Sequence, residues 1–280
     1  MNNQSLLDDG NHALLDSYIG QDKIRGRPIR LNKQRLELKR SKEYAEMILF
    51  GDLHFGHPCC DIERAKRQIK YCLEKGIYVL GMGDYIETGL RGSVGDSVYQ
   101  QKLNPQKQMD FMIDFLKPLA RKGLLLGLLI GNHEGRIQKD TSVNPVKIMA
   151  KILRVPYLGY ACWNLFYVGD ESYTIYTIHG TTGSRFDHTK LKAAIDISHY
   201  FDADIVAMAH VHSCIDDEIL VHIVDRKRKM IVERKKFIVV TGHYLSYDDS
   251  YAQEKGLPPA RLGSPKVKLF SKKHDVHISW

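Results

Sequence analysis

The chain has 280 residues, of which 43% are apolar, so it can bury a full hydrophobic core. Its longest apolar run near the middle, GLLLGLLIG at residues 123–131, is too short to span a bilayer, and the first ten residues lack the basic-then-apolar order of a secretion signal. Five cysteines without paired spacing indicate reduced thiols. These features exclude membrane and disulfide-framework classes, and we expect a soluble, cytoplasmic protein with no membrane partner.

The formal net charge of +8 is concentrated in one segment. Residues 23–42 hold nine basic residues and one acidic residue. We predict that residues 1–43 form a basic N-terminal extension and that residues 44–280 form one domain ending in a β-hairpin and tail. Clustered cations release counterions on nucleic acid, which makes segment 23–42 a candidate nucleic-acid contact. A solvated lead-in segment is an equally consistent interpretation.

From residue 44 onward, strand and helix patterns alternate. The predicted strands are 45–52, 77–84, 124–134, 163–169, 172–180 and 203–212. A hairpin follows within 218–244, with the basic turn RKRK at 226–229. The predicted helices are 61–76, 105–122, 144–153 and 187–201. Alternation predicts an α/β fold with a largely parallel sheet, and the late β-rich runs predict a second sheet packed beside it.

Polar side chains of one chemical kind follow each predicted strand. They are Asp52 and His54, then Asp84, then Asn132 and His133, then His179, then His210 and His212. Ligands gather at the carboxyl ends of strands in such sheets, so we expect these side chains to converge. Carboxylate, imidazole and amide ligands without thiolate favour Mn²⁺, Fe, Zn, Ni or Co. Because there are too many ligands for one ion, we predict two divalent ions that share a carboxylate.

Taken singly, each of these residues has an ordinary explanation. A histidine at a strand end is usually structural, and an aspartate before a helix is usually an N-cap. The joint pattern is what favours metal binding. The other histidines match no ligand position and are expected to be structural or on the surface, with His57 and His243 the nearest to the predicted site.

The ordered motifs GDLH, GD, GNHE, HG and AHVH resemble those of the calcineurin-like metallophosphoesterase superfamily over residues 45–245. The resemblance implies a fold of two mixed β-sheets packed face to face and flanked by helices, a four-layer α/β/β/α sandwich. It implies two divalent ions, Mn²⁺ first. One ion would be bound by Asp52, His54 and His212, the other by Asn132, His179 and His210, with Asp84 between them. It also implies that His133 is the general acid and that Glu87 orients it. Ala209 replaces the usual glycine.

The motifs also bear on the substrate. Thr88 and Ile130 stand where the phosphoprotein phosphatases have paired arginines, which disfavours a protein phosphatase. GDLHFGH is similar to the opening of the DNA repair exonuclease branch, and the chain resembles compact relatives of the kind that bacteriophages encode. We therefore expect hydrolysis of DNA phosphodiester bonds by metal-activated hydroxide. Cations of the 61–76 helix and the RKRK turn would bind flanking phosphates, and Tyr244, Tyr247 and Tyr251 are candidates for base stacking.

Two other functions remain open from the sequence. A phosphoesterase acting on a small molecule, such as a cyclic nucleotide or a phosphomonoester, would be unaffected by removal of residues 1–43. A catalytically inactive binding scaffold is disfavoured because no metal ligand of the motif series is missing. The sequence leaves the oligomeric state open.

Overall fold

The computed structural model describes residues 23–24, 27–28, 31–38, 42–90, 97–180 and 182–280. The chain divides into two compact units, residues 1–31 and 32–280. In the first unit, Lys23–Ile24 pairs antiparallel with Arg27–Pro28. The remainder of segment 23–30 lies outside the described residues. The second unit contains all other elements.

The strands in chain order are β1 (Lys23–Ile24), β2 (Arg27–Pro28), β3 (Leu31–Arg35), β4 (Tyr44–Phe50), β5 (Tyr78–Gly81), β6 (Leu125–Leu129), β7 (Tyr157–Gly159), β8 (Ala161–Val168), β9 (Glu171–Ile178), β10 (Ile205–Met208), β11 (Cys214–Asp225), β12 (Met230–Thr241), β13 (Lys266–Phe270) and β14 (Val276–Ser279). The helices are α1 (Ile62–Lys75), α2 (Ser97–Gln100), α3 (Pro105–Arg121), α4 (Asn132–Thr141), α5 (Pro145–Leu153), α6 (Asp187–Tyr200) and α7 (Tyr251–Glu254).

Two six-stranded mixed sheets form the centre of the fold. The first sheet has the order β14-β13-β4-β5-β6-β7, in which β4 to β7 are parallel and β13 is antiparallel to β4. The second sheet has the order β11-β12-β10-β9-β8-β3, in which β10 is parallel to both of its neighbours. The long hairpin of β11 and β12 with its turn at 226–229 is confirmed.

Three apolar clusters separate four layers. The central cluster joins side chains of both sheets, including Leu49 and Leu80 of the first and Phe166 and Ile205 of the second. Helices α1, α3 and α5 pack on the outer face of the first sheet, and α6 packs on the outer face of the second. The predicted fold of two mixed sheets packed face to face and flanked by helices is therefore confirmed.

Local signals explain where the helices begin and end. Asp61 caps α1 by accepting a hydrogen bond from the Arg64 amide at 2.9 Å, and Gly76 ends it in the left-handed conformation at φ 59°. Asn104 and Asn144 cap α3 and α5, each followed by a proline at the first helical position. Caps of this kind depend on neighbouring residues alone, which is why the sequence predicts these boundaries well.

The expected domain boundary at residue 43 needs correction. Strand β3 pairs with β8 at the edge of the second sheet, and Leu36 is buried in the central cluster, its amide donating to the Tyr167 carbonyl at 2.8 Å. Residues 31–38 of the expected extension are therefore part of the fold. Basic residues of β3 alternate with buried ones, so the high charge of the segment concealed the strand.

Among the described residues, none of the helices has the length and apolar character needed to cross a membrane. All five cysteines are reduced thiols, and two of them, Cys72 and Cys162, are buried.

Candidate metal centre

The carboxyl ends of the strands converge as the sequence predicts. Three groups of side chains each place their ligand atoms within 4.8 Å of one another. The groups are Asp52, His54 and His212, then Asp84, His179 and His210, then His54, Glu87 and His133. The side chains come from both sheets, so the site exists only because the sheets pack together with their strand ends on one side.

In the first group, two imidazole nitrogens face each other. Nε2 of His54 lies 3.0 Å from Nε2 of His212, and the His212 nitrogen lies 3.7 Å from Oδ1 of Asp52. Oδ2 of Asp52 accepts a hydrogen bond from the backbone amide of His210 at 2.9 Å, which holds the carboxylate in position. One carboxylate oxygen and two ring nitrogens therefore point at the same small volume.

In the second group, Asp84 lies between the two clusters. Its Oδ2 is 3.2 Å from Nε2 of His179 and 3.8 Å from Nε2 of His54. Nε2 of His179 also lies 3.0 Å from Oδ1 of Asn132. Together with His210, the structure thus brings all seven candidate ligands together, with Asp84 where a shared ligand would have to be.

An observation independent of the motif indicates that these residues can bind divalent cations. Oδ1 of Asp52 and Oδ2 of Asp84 are fully buried and accept no hydrogen bond from any described residue. A buried carboxylate oxygen without a partner is costly unless it is paired with a charge or binds a metal. Both oxygens face imidazole nitrogens rather than apolar side chains. This donor set of oxygen and nitrogen suits borderline divalent ions.

Outer hydrogen bonds orient two of the imidazoles. Nδ1 of His179 donates to the Met82 carbonyl at 2.8 Å, and Nδ1 of His54 donates to the Glu87 carboxylate at 3.1 Å. In each ring Nε2 then faces the cluster. Metal-binding histidines usually have such an outer partner, which fixes the tautomer.

The electrostatics follow from burial and from these contacts. Burial lowers the pKa of His54 to about 4. Burial also works against protonation of His179, but Asp84 outweighs it and raises the pKa of His179 to about 10. Burial alone would raise the pKa of Asp84, yet His179 and His133 hold it well below its usual range. Asp84 is therefore a carboxylate that needs neighbouring positive charge.

Five of the seven candidate ligands have a left-handed backbone. The residues with φ between 49° and 74° are Asp52, His54, Asp84, His210 and His212. Non-glycine residues rarely adopt this conformation, and it concentrates at functional sites. Neighbouring glycines make the close approach possible, since a Cβ on Gly131 would lie 2.0 Å from Oδ1 of Asp84. The strand ends are thus shaped for ligand placement at a cost in backbone strain.

The sequence analysis missed the residue that braces these strand ends. Glu134 is fully buried, and its carboxylate accepts hydrogen bonds from four backbone amides, at 2.6 to 3.2 Å. The donors are the amides of Asp84, Tyr85, Ile86 and Gly131. The only sequence signal was the final position of the GNHE motif. Glu134 therefore connects the ends of β5 and β6 without facing the site.

His133 and Glu87 lie together. Nδ1 of His133 donates to the Glu87 backbone carbonyl at 2.7 Å, while the Glu87 carboxylate is closer to His54. Burial lowers the pKa of His133 to about 4, so the neutral ring is favoured near neutral pH. The Glu87 carboxylate thus lies beside both rings, 3.1 Å from Nδ1 of His54 and 3.4 Å from Nδ1 of His133, and its orienting of His133 stays a prediction.

A cation beside His133 was also missed. The guanidinium of Arg136 lies 3.2 Å from Nε2 and 3.3 Å from Nδ1 of His133. Arg136 lies one helical turn after His133 on α4, and this contact was not expected because the sequence did not predict a helix there. Arg136 places a permanent positive charge at the edge of the cluster.

Two neighbours of the site complete its description. His243 is buried and stacks on His212, with ring centroids 4.9 Å apart, and its Nδ1 accepts from the Leu245 amide. Tyr244 is fully buried against Phe50, so its expected role in base stacking is wrong. The side chain of Tyr251 lies outside the described residues.

The sequence matches no protein-family model and no curated protein. Among solved structures, a conserved uncharacterized protein from Streptococcus pneumoniae TIGR4, described as a predicted phosphoesterase, is similar with a TM-score of 0.38 and 11% identity over 85% of this chain and 90% of that chain. Vacuolar Protein Sorting 29 from Cryptosporidium parvum is similar with a TM-score of 0.37 and 16% identity over 85% and 98% of the two chains. Vps29 from Entamoeba histolytica complexed with zinc has a TM-score of 0.35 and 15% identity over 84% and 97%.

At these identities and TM-scores we base no functional conclusion on the similarity. The functional conclusion depends on the geometry of the candidate metal centre itself.

Proposed function

We propose that this chain is a phosphoesterase of the calcineurin-like type, which uses two divalent ions to hydrolyse phosphodiester bonds in DNA. The observation that carries the proposal is the pair of buried, unpartnered oxygens, Oδ1 of Asp52 and Oδ2 of Asp84, facing the ring nitrogens of His54, His179 and His212.

The assignment of ligands follows the two groups of side chains. Asp52, His54 and His212 would hold one ion, Asn132, His179 and His210 would hold the other, and Asp84 would contact both. When bound, the two ions supply a lowered pKa for water and positive charge for the phosphoryl oxygens. We take Mn²⁺ as the first ion to test. Fe, Zn, Ni and Co also suit the same ligands.

Residues of this chain supply the remaining chemistry. His133, whose Nδ1 is held by the Glu87 carbonyl, would pass a proton from Nε2 to the departing oxygen in its imidazolium form, which its lowered pKa makes the minor form near neutral pH. Arg136 places a fixed positive charge 3.2 Å from the same nitrogen, which lowers the pKa of the imidazole further and makes its protonated form a stronger acid. Together they would stabilise the negative charge that develops on the leaving group.

The cationic complement of the site supports a diester substrate. Thr88 and Ile130, at the positions of the paired arginines of protein phosphatases, are both fully buried and uncharged. Among the described residues, Arg136 brings a guanidinium to His133 at the edge of the site. A phosphomonoester dianion is usually held by bidentate arginines, whereas a diester carries a single charge. One arginine beside two ions suits the diester.

The test is a reconstitution assay with matched substrates. Protein stripped with a chelator and reloaded with Mn²⁺ should hydrolyse bis-p-nitrophenyl phosphate faster than p-nitrophenyl phosphate, and should cleave labelled single-stranded DNA. Elemental analysis should find two ions per chain after reloading. Faster hydrolysis of the monoester, with DNA left intact, would instead support the small-molecule function.

A deletion of N-terminal residues tests the basic segment, and the position of β3 decides where the deletion should end. Removal of residues 1–30 keeps β3 in the second sheet, whereas removal of residues 1–43 would also delete that strand. We expect the shorter deletion to weaken DNA cleavage and to spare hydrolysis of the small diester, because a small ester has no flanking phosphates for a cationic segment to bind. Equal activity of both proteins on DNA would show that segment 23–30 is not a DNA contact.

A further inference from the structure

Two adjoining cavities open on the surface beside the candidate metal centre. Their volumes are about 350 and 200 Å³, and Arg261 and Trp280 line both of them. The smaller cavity is also lined by Ser213 and Cys214, which directly follow the candidate ligand His212. The larger cavity lies between α1 and the segment that leads into β13. The two cavities therefore form one groove that leads away from the centre.

Tyr244 connects this groove to the centre. Its backbone amide donates to the carbonyl of Asp52 at 3.0 Å, and its hydroxyl contacts Gln68 and the hydroxyl of Ser264. Gln68 and Ser264 both line the larger cavity. Two lining residues of the groove are thus one buried tyrosine side chain away from the backbone of a candidate metal ligand.

The groove carries positive charge that the described part of the chain does not neutralise. Arg67 and Arg261 line it and are exposed, and neither forms an ion pair with a described residue. The other charges are already engaged. Arg64 pairs with Asp61 at 3.2 Å, and in the smaller cavity Lys190 lies 3.4 Å from Asp187. Two guanidinium groups therefore remain for an anion, and a phosphate is the anion whose geometry they match.

Aromatic rings stand beside these guanidinium groups. The Tyr71 side chain in the larger cavity is 41% exposed. The indole N–H of Trp280 donates to the Asp216 carboxylate, which fixes the ring where the two cavities meet. Accessible aromatic rings next to unpaired arginines are the combination that binds unpaired bases and their phosphates, and here Tyr71 is exposed and Trp280 is half-buried.

We propose that this groove binds single-stranded DNA downstream or upstream of the bond that is cut. Arg67 and Arg261 contact backbone phosphates, and Trp280 and Tyr71 stack on bases. This inference rests on the proposed function, because it makes the substrate of the metal centre a strand rather than a small ester. It also assigns the contacts to the groove, independently of the basic segment 23–42.

The experiment measures binding and cleavage separately. Binding of a fluorescent oligothymidylate of roughly ten nucleotides is followed by anisotropy, without metal, so that it does not depend on catalysis. We expect the double variant Arg67→Gln/Arg261→Gln to bind the oligonucleotide at least about tenfold more weakly and with a shallower dependence on salt. The hydrolysis of bis-p-nitrophenyl phosphate should not change, because that ester is too short to reach the groove.

Matched variants separate groove contacts from general charge and packing effects. Lys70→Gln removes an exposed cation from the same helix outside the cavity lining, and it should bind as the wild type does. Trp280→Ala should weaken binding about tenfold, whereas Trp280→Phe keeps a ring and should restore most of the affinity. A duplex of the same length should bind at least about tenfold more weakly than the single strand, because its bases are already stacked.

Several results would overturn the inference. Unchanged oligonucleotide binding by the double variant, equal losses for Lys70→Gln, or equal affinity for duplex and single strand would each exclude the groove as a single-strand site. These results are distinct from a failure of the proposed function, which would appear as absent ester hydrolysis by the metal-loaded wild type whatever the groove binds.

Discussion

The two sheets contribute different chemistry to the candidate metal centre. The first sheet supplies the two carboxylates, Asp52 and Asp84, and both are fully buried. The second sheet supplies the imidazoles of His179, His210 and His212, of which the last two are partly exposed. The first half of the site therefore carries the negative charge, and the second half carries imidazoles, of which those of His210 and His212 are partly accessible to solvent.

Because the two halves differ in charge and burial, we expect them to respond differently to substitution. Buried carboxylates next to each other raise the energy of the folded protein unless cations or hydrogen bonds compensate. The first half contains two such carboxylates, Asp52 and Asp84, and Glu134 holds its strand ends by accepting from backbone amides. The second half contributes imidazoles and does not have two adjacent buried carboxylates. We therefore expect a change at Asp84, which faces both groups of ligands, to affect both ions, and a change in the second half to affect one ion.

The largest effect is expected for Asp84→Asn. Its Oδ2 faces both groups of ligands, while its Oδ1 accepts from the His133 amide at 2.9 Å, a contact that asparagine can keep. The fold should persist while both ions bind weakly, and hydrolysis of bis-p-nitrophenyl phosphate should fall by about 10³-fold or more. Asp114→Asn, on the exposed face of α3, is the control. Two tightly bound ions in Asp84→Asn would show that the carboxylate is not shared.

Substitutions in the second half test whether each imidazole serves one ion. His179→Ala and His212→Ala should each reduce the affinity for one ion by about 10- to 100-fold and leave the other bound. Titration with Mn²⁺ followed by elemental analysis should find one ion per chain at limiting metal in both variants. If either variant lost both ions together, the separation of the halves would be wrong.

His133→Ala tests a residue that lies between the halves without being a ligand. Metal content should stay at the wild-type level, and turnover of a substrate with a poor leaving group should fall by about 10²-fold. The effect should shrink for p-nitrophenolate, which needs little help to depart. An equal loss for good and poor leaving groups would contradict the assigned proton transfer.

Glu134→Gln tests the bracing of the first half. The glutamine amide would place an N–H₂ group against backbone amides that now donate to the carboxylate. The free energy of unfolding should fall by about 2 kcal/mol, because buried donors lose their acceptor. Urea denaturation measures the loss, and Glu63→Gln on the exposed face of α1 provides the control. An unchanged midpoint would mean that the strand ends do not depend on this residue.

The smallest effect concerns the contact of the sheets at their opposite edge. His274, between β13 and β14, lies 3.3 Å from Asp204 and 3.5 Å from Glu171 of the second sheet, and the hydrogen bond with Asp204 raises its pKa above 6.5. Its stabilisation is therefore complete below about pH 6.5 and lost as pH rises through the raised pKa. His274→Gln should lower the free energy of unfolding by about 0.5 kcal/mol near pH 5.5, a value reduced by solvent screening, and by less near pH 9. A loss that grew with pH would contradict the ion pair.

The fold was predictable wherever neighbouring residues carried the signal. The 61–76 prediction and the observed α1 differ by one residue at each end, because Asp61 and Gly76 are local caps. Strands β13 and β14 were not predicted, since their register depends on pairing with β4, more than 200 positions earlier. Helix α4 was also missed, because its sequence NHEGRIQKDT has no apolar periodicity.

The candidate ligands could be identified from the sequence, because residue type and order along the chain show which polar side chains follow the strands. Which atoms meet depends on the tertiary structure. The Glu87 carboxylate contacts His54, the Arg136 guanidinium contacts His133, and Arg67 and Arg261 line the same cavity as Trp280. These pairings arise from the packing of two sheets against each other. Distances between side chains so far apart in the chain depend on that packing and have no counterpart in local sequence.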